Sequence, residues 1–190
     1  MMLNTKEEIE AWLIEMGIKN YTINDDLTVN TRTGVDLRNK GLTEIPIQFN
    51  RVGYHFDCSH NELTSLNGCP RKVVGCFYCN HNKLTNLEGC PVELVGHLFG
   101  GSSDFNCSYN KLTSLKGCIE IIDGDFWCEG NEIDDFKYLP KEINGKFHAK
   151  YAETFEEAQY LQQIALDEEV LTKMVSNIVE PTKRKKSQPV

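Results

Sequence analysis

Long hydrophobic runs are missing from this chain. No stretch approaches the roughly 18 consecutive apolar residues of a membrane-spanning helix, so a membrane partner is not expected. The first residues turn acidic at Glu7 and Glu8, where a secretory leader needs an apolar core. Both absences point to a soluble, cytoplasmic protein in a reducing compartment. Cations are also short: 20 Lys and Arg stand against 28 Asp and Glu, a formal net charge of −8. That sign argues against nucleic acid as a general partner. The exception is residues 180–190, where Lys183, Arg184, Lys185 and Lys186 stand against Glu180 alone.

Catalytic fingerprints are missing too. The chain has no G-x-S-x-G, no P-loop and no dinucleotide-binding glycine motif. Cys76 and Cys79 are spaced as C-x-x-C, but no second pair follows at a zinc-binding interval. His60 and His81 share one repeat position, which repeat duplication explains without a metal. No cofactor is implied, and the expectation is a protein that is not an enzyme.

What is present is a repeat. Phe-x-Cys-x-x-Asn-x-Leu-x-x-Leu runs from Phe56 to Leu66, from Phe77 to Leu87 and from Phe105 to Leu115. A fourth copy at Phe126, Cys128, Asn131, Ile133 and Phe136 keeps the frame with substitutions. Successive Phe positions are 21, 28 and 21 residues apart, and steps of 21 reach Phe147 forward and Val35 backward. Six rungs follow, with strands at 35–37, 56–58, 77–79, 105–107, 126–128 and 147–149. Phe and Cys two apart in an extended segment share one face, and the residue between them points the other way. The Asn is placed to bond backbone groups at the bend. Gly-Cys-Pro at 68–70 and 89–91, then Val or Ile and a Gly, shape the return arm. A single rung cannot bury its own apolar edge, so stability must come from stacking.

These motifs resemble the leucine-rich-repeat family, over roughly residues 35–150. The short period and Pro-containing return arm are similar to the bacterial subtype of secreted effectors. The Cys-for-Leu choice and the phrase Leu-Thr-Ser-Leu-x-Gly-Cys-Pro resemble repeat proteins encoded by large tailed bacteriophages. The resemblance implies an α+β leucine-rich-repeat solenoid of about six rungs with parallel strands, an N-terminal helix-and-strand cap and a C-terminal helical cap. It also implies a concave strand face that binds protein. The phage likeness places the chain in an infected bacterium's cytosol, with a host protein, such as a defence factor, or a phage protein as partner.

The cysteines fall into two repeat columns. Cys58, Cys79, Cys107 and Cys128 alternate with Leu37 and Ala149, while Cys69, Cys90 and Cys118 alternate with Leu139. Positions that exchange Cys with Leu or Ala are core positions, so free, packed thiols are expected. Residue 76 reads as exposed, beside His55, Asp104, Asp125 and Lys146 in the same column.

The expected organisation is a cap over 1–34, the solenoid over 35–150, C-terminal helices over 151–179 and a disordered basic tail over 180–190. Thr5 to Glu8 and Thr154 to Glu157 are capping boxes. Asp167 suggests a division between two C-terminal helices, whose surplus apolar residues could dimerise or engage a partner. Oligomeric state stays open.

The candidate partner-binding residues are those an apolar core does not explain. They are the outward Asp57, Tyr78, Asn106, Trp127 and His148, then Glu129, then His81 and Tyr109 nearer the bend. Leu98 and Phe99, in the seven extra residues before Phe105, either bind or fold back on the core. Tyr78, His81, Tyr109, Trp127 and Tyr151 are expected to form an aromatic belt, the residue type that dominates interface hot spots. The leading expectation is a non-catalytic protein–protein interaction module. The alternatives are a nucleic-acid adaptor using the basic tail, or a structural component of a virion.

Overall fold

The computed structural model describes residues 2–96, 101–133, 136–150 and 152–184, with side chains in the final helix described to residue 173. In chain order the elements are α1 (Lys6–Glu15), β1 (Tyr21–Ile23), β2 (Val29–Thr31), β3 (Val35–Asp36), β4 (Phe49–Val52), β5 (Phe56–Asp57), β6 (Lys72–Val74) and β7 (Phe77–Tyr78). They continue as β8 (Glu93–Val95), β9 (Phe105–Asn106), β10 (Ile121–Ile122), β11 (Phe126–Trp127), β12 (Glu142–Ile143), β13 (Phe147–His148) and α2 (Phe155–Arg184).

The chain is a β-solenoid of parallel strands, about five turns long, with a helix at each end. Strands β3, β5, β7, β9, β11 and β13 form one parallel sheet, one strand per rung. Its register aligns Val35, Phe56, Phe77, Phe105, Phe126 and Phe147 in one column. Each strand is two residues long because the chain bends immediately after it. Every bend residue in left-handed backbone (Asn39, His60, His81, Tyr109 and Gly130) lies three positions past an outward strand residue.

The return arm is also sheet, which the repeat pattern did not announce. β2, β4, β6 and β8 stack in parallel, with β1 antiparallel on β2, and β10 pairs with β12 separately. The inward Val52, Val73 and Ile122 are fully buried from this side. The break between β8 and β10 falls in the 28-residue rung.

Between the six-stranded sheet and the return-arm strands runs one continuous core. Phe56 and Phe77 centroids are 5.7 Å apart, Phe77 and Phe105 5.5 Å, Phe105 and Phe126 5.5 Å, and Phe126 and Phe147 5.8 Å. Such ring pairs contribute about 0.5–1.5 kcal/mol each beyond their burial. All eight cysteines are free, and Cys58, Cys79 and Cys107 are completely buried. Burial pushes the thiols up, to about 12 for Cys90 and Cys128, so they pack as neutral groups.

The repeated Asn is the polar counterpart of the Phe column. Asn82 Oδ1 accepts from Leu63 N at 3.0 Å, while its Nδ2 donates to the carbonyls of Cys58 and Cys79 at 3.0 and 3.1 Å. Asn61, Asn110 and Asn131 bond in the same way. Each amide thus ties its own bend to the preceding rung.

At one end, Thr5 and Glu8 form a reciprocal capping box that starts α1. Ile9 and Leu13, four apart and therefore on one face, join the common core. At the other end α2 is one helix, not two. Asp167 does not divide it, because its carboxylate accepts from Gln163 Nε2 at 2.9 Å within the helix. The helix continues through Arg184, past the boundary drawn at 179, and residues 185–190 lie outside the described residues.

Candidate functional site: the outward face of the six-stranded sheet

One residue of each two-residue strand faces away from the core. The register aligns Asp36, Asp57, Tyr78, Asn106, Trp127 and His148 into a single outward column. At about 4.8 Å per rung the column is about 25 Å long.

Much of the polar half of this column is explained by local bonding. Asp57 Oδ1 accepts from Ser59 N at 2.9 Å and from Ser59 Oγ at 2.6 Å. Asn106 Oδ1 accepts from Ser108 N at 3.0 Å and from the Ser108 hydroxyl. Asp36 holds Arg38 by backbone and guanidinium bonds, and Arg38 Nε lies 3.4 Å from Asp57. Hydrogen bonds from Arg38 hold the Asp36 carboxyl below its ordinary range. These are Asx turns, which bring the chain out of each strand. Ser59 and Ser108, which donate these bonds, are buried.

The aromatic half is not explained this way. Trp127 and His148 are half-buried and stack face to face, 5.2 Å between centroids and 2° from parallel. Tyr78 is half-buried, with the His55 ring 6.4 Å away. Burial first, then the Cys76 thiol, pushes the Tyr78 hydroxyl well up. At the β3 end the column borders a shallow depression of about 410 Å³ lined by Tyr54, His55, Asp57, Tyr78 and Arg38 among others.

The expected aromatic belt divides into two stripes. His81 and Tyr109 do not join Tyr78 and Trp127; they sit at the bend, exposed and in left-handed backbone. There His60 and His81 stack at 4.3 Å, and His81 and Tyr109 at 4.6 Å. A side chain at Gly130 would meet the Tyr109 ring at 2.5 Å, so glycine leaves that ring its place. Glu129 is half-buried next to this bend. Leu98, Phe99 and Tyr151 lie outside the described residues.

Cys76 is a correction. It is 4% exposed, because the chain at 102–104 closes over it: its Sγ donates to Ser102 O at 3.6 Å and accepts from Asp104 N at 3.4 Å. The column it belongs to is a second ladder that the sequence reading did not find. His55 Nδ1 accepts from Cys76 N at 2.8 Å, Asp104 Oδ1 from Asp125 N at 2.9 Å, and Asp125 Oδ1 from Lys146 N at 2.7 Å. The available signal was an acceptor side chain immediately before Phe56, Phe77, Phe105 and Phe126, with glycine just ahead of it at 75 and 124.

Among the described residues no group of three or more His, Cys, Asp or Glu is placed to hold a metal ion, and no helix is long and apolar enough to cross a membrane. Comparison with protein-family models, with curated proteins and with solved structures finds no match.

Proposed function

We propose that the chain is a leucine-rich-repeat protein that binds a protein partner, without catalysis, through the outward face of the six-stranded sheet. The observation that carries this reading is the parallel Trp127–His148 stack. An indole presented on a rigid sheet and held flat by a neighbouring ring loses little entropy when it docks, which is why such residues dominate interfaces. Tyr78 extends the surface toward β3, and Asn106 lies between Tyr78 and Trp127. Glu129 adds acidity and favours a basic patch on the partner.

In this reading α1 and β1 close one end of the core and the first turns of α2 close the other. The buried Ile9, Leu13 and Ala158 are what such caps require. The setting is the cytoplasm, and the phage-like wording of the repeat favours a host bacterial protein as the target.

The test is affinity capture from bacterial cytosol with quantitative mass spectrometry, comparing the native chain with Trp127→Ala and with Lys141→Ala on the return arm. The expected result is a stoichiometric protein retained by the native chain and by Lys141→Ala, and lost with Trp127→Ala. Equal recovery by all three would remove this face as the site.

A further inference from the structure

The two sheets end at different levels. β2 and β3 belong to the first rung and β4 and β5 to the second, while β1 adds a strand to the return-arm sheet one level before the first rung. The six-stranded sheet has no strand at that level, because β3 is its edge. A cavity of about 650 Å³ lies there, with residues 16–20, which lead into β1, on one side and Gly34, Asp36, Arg38, Asn39 and Lys40 on the other.

The repeat shows what the β3 edge offers a neighbour. In the second rung, His55 O accepts from Val35 N at 2.9 Å, Asp57 O from Leu37 N at 2.8 Å and Ser59 O from Asn39 N at 3.4 Å. Glu62 N donates to Leu42 O at 2.8 Å. One 21-residue period earlier, the same places are Gly34 O, Asp36 O, Arg38 O and Gly41 N. The Asp36 N–H lies on the same side as its carbonyl. Among the described residues none of these five groups has a hydrogen-bond partner. The Asp36 side chain does not obstruct the edge, because it stands in the outward column and binds the Arg38 guanidinium. An extended chain laid beside β3 therefore meets donors and acceptors in the register that already joins rung to rung.

The walls specify its side chains. Ile18 is buried and Met16 half-buried, whereas Lys19 and Lys40 are exposed. Lys72, Lys83, Lys116 and Lys141 each pair with a glutamate of a neighbouring rung. Among the described residues Lys19 and Lys40 have no ion pair, and Asp36, the one carboxylate lining the cavity, is taken by Arg38. Alternate residues of an extended chain face opposite ways, so one set meets Met16 and Ile18 and the other meets the two lysines.

We propose that the β3 edge takes an extended peptide of alternating apolar and acidic residues as a further strand of the six-stranded sheet. Strand addition of this kind draws affinity from backbone bonds and selectivity from alternate side chains. Trp127 and His148 lie on β11 and β13, at the far end of the sheet, so the site stands independently of the binding role proposed for the outward face.

The test is fluorescence anisotropy of the full chain with a labelled peptide of alternating Val and Glu, about six residues and about 20 Å long when extended. Amide hydrogen exchange is read on the same complex. The native chain is expected to bind with a Kd below about 100 µM. The Asp36 and Gly41 amides should exchange more slowly in the complex. A peptide with Lys in place of Glu should bind at least about ten-fold more weakly, and so should the Val–Glu peptide to a Lys19→Glu, Lys40→Glu chain. Both lysines are exposed, so this double variant should keep the native circular dichroism. Lys111→Glu, at an exposed bend position of another rung, should leave binding unchanged. No saturable binding up to about 1 mM overturns the proposal. So does binding without slowed exchange at Asp36 and Gly41, which uses another surface. Equal binding of the two peptides, or indifference to the Lys19→Glu, Lys40→Glu change, overturns the acidic specificity.

Discussion

Gly124 lies directly against Asp104. A β-carbon at 124 would stand 2.9 Å from the Asp104 amide nitrogen and closer still to the carboxylate that accepts from Asp125 N. The glycine and the acceptor are therefore one device: the missing side chain in one rung is the space for the acceptor carboxylate of the rung before. Gly124→Ala should cost about 1–3 kcal/mol, the usual range for overpacking. The double variant Gly124→Ala, Asp104→Gly should cost less than the two single changes added together, because the second change removes the carboxylate from the clash and leaves only the backbone contact. Urea titrations of the two single variants and the double variant measure this, and strict additivity would refute the coupling.

Asn82 is predicted to be worth more to stability than Asn61 at the same repeat position. It is 9% exposed, and replacement by Ala orphans Leu63 N, while the carbonyls of Cys58 and Cys79 each lose one donor but keep Asn61 and Asn110. The expected loss is about 1–3 kcal/mol, the cost of one buried orphan. Asn61→Ala, in a more open rung, should cost visibly less in the same urea experiment. Equal losses would mean that burial does not set the value of this bond.

The stacked histidines carry a pH signature. Burial first, and then the neighbouring His60, lower the His81 pKa below its ordinary value. The fold therefore favours neutral His81. Its contribution is complete above the unfolded pKa near 6.5, and is lost as pH falls through that value toward the lower folded one. His81→Asn tolerates the left-handed backbone and cannot titrate. The native chain should lose stability relative to this variant between about pH 7.5 and 5.5. Parallel stability curves across that window would show that the stack is electrostatically silent.

Thiol chemistry should report the core. Burial raises the thiols of Cys58's neighbours Cys69 and Cys79, as well as Cys107, well above the ordinary cysteine value, and thiolate is the reactive form. At about pH 8 the folded chain should react slowly with a thiol reagent, at the rate of its opening, and all eight cysteines should react at once in denaturant without reductant. Fewer than eight in denaturant would indicate a disulfide. Rapid labelling of the folded chain would contradict the packing.

Much of this architecture was legible in the residues. The Phe, Cys, Asn and Leu columns imply stacked rungs, and Phe56, Cys58, Asn61, Leu63 and Leu66 take up the inward and bend positions their spacing predicts. Thr5 and Glu8 announce α1 in the same way. The candidate site was legible only in part. Trp127 and His148 share an outward column, as expected, but His81 and Tyr109 belong to the bend because left-handed backbone turns their side chains away from the sheet. Asp57 and Asn106 are engaged with Ser59 and Ser108, which a list of outward positions does not reveal.

By itself the sequence determined the period, the rung positions and the apolar columns. An in-register stack repeats each position in space, so periodicity in one dimension becomes a column in three. Only the tertiary structure decided which polar side chains serve the neighbouring rung. His55, Cys76, Asp104 and Asp125 look like surface residues in the chain. They become structural acceptors because strand spacing of about 4.8 Å brings the next rung's amide within hydrogen-bonding reach. The same holds for α2, where the solenoid's final turn selects the side that carries Ala158 and Gln162.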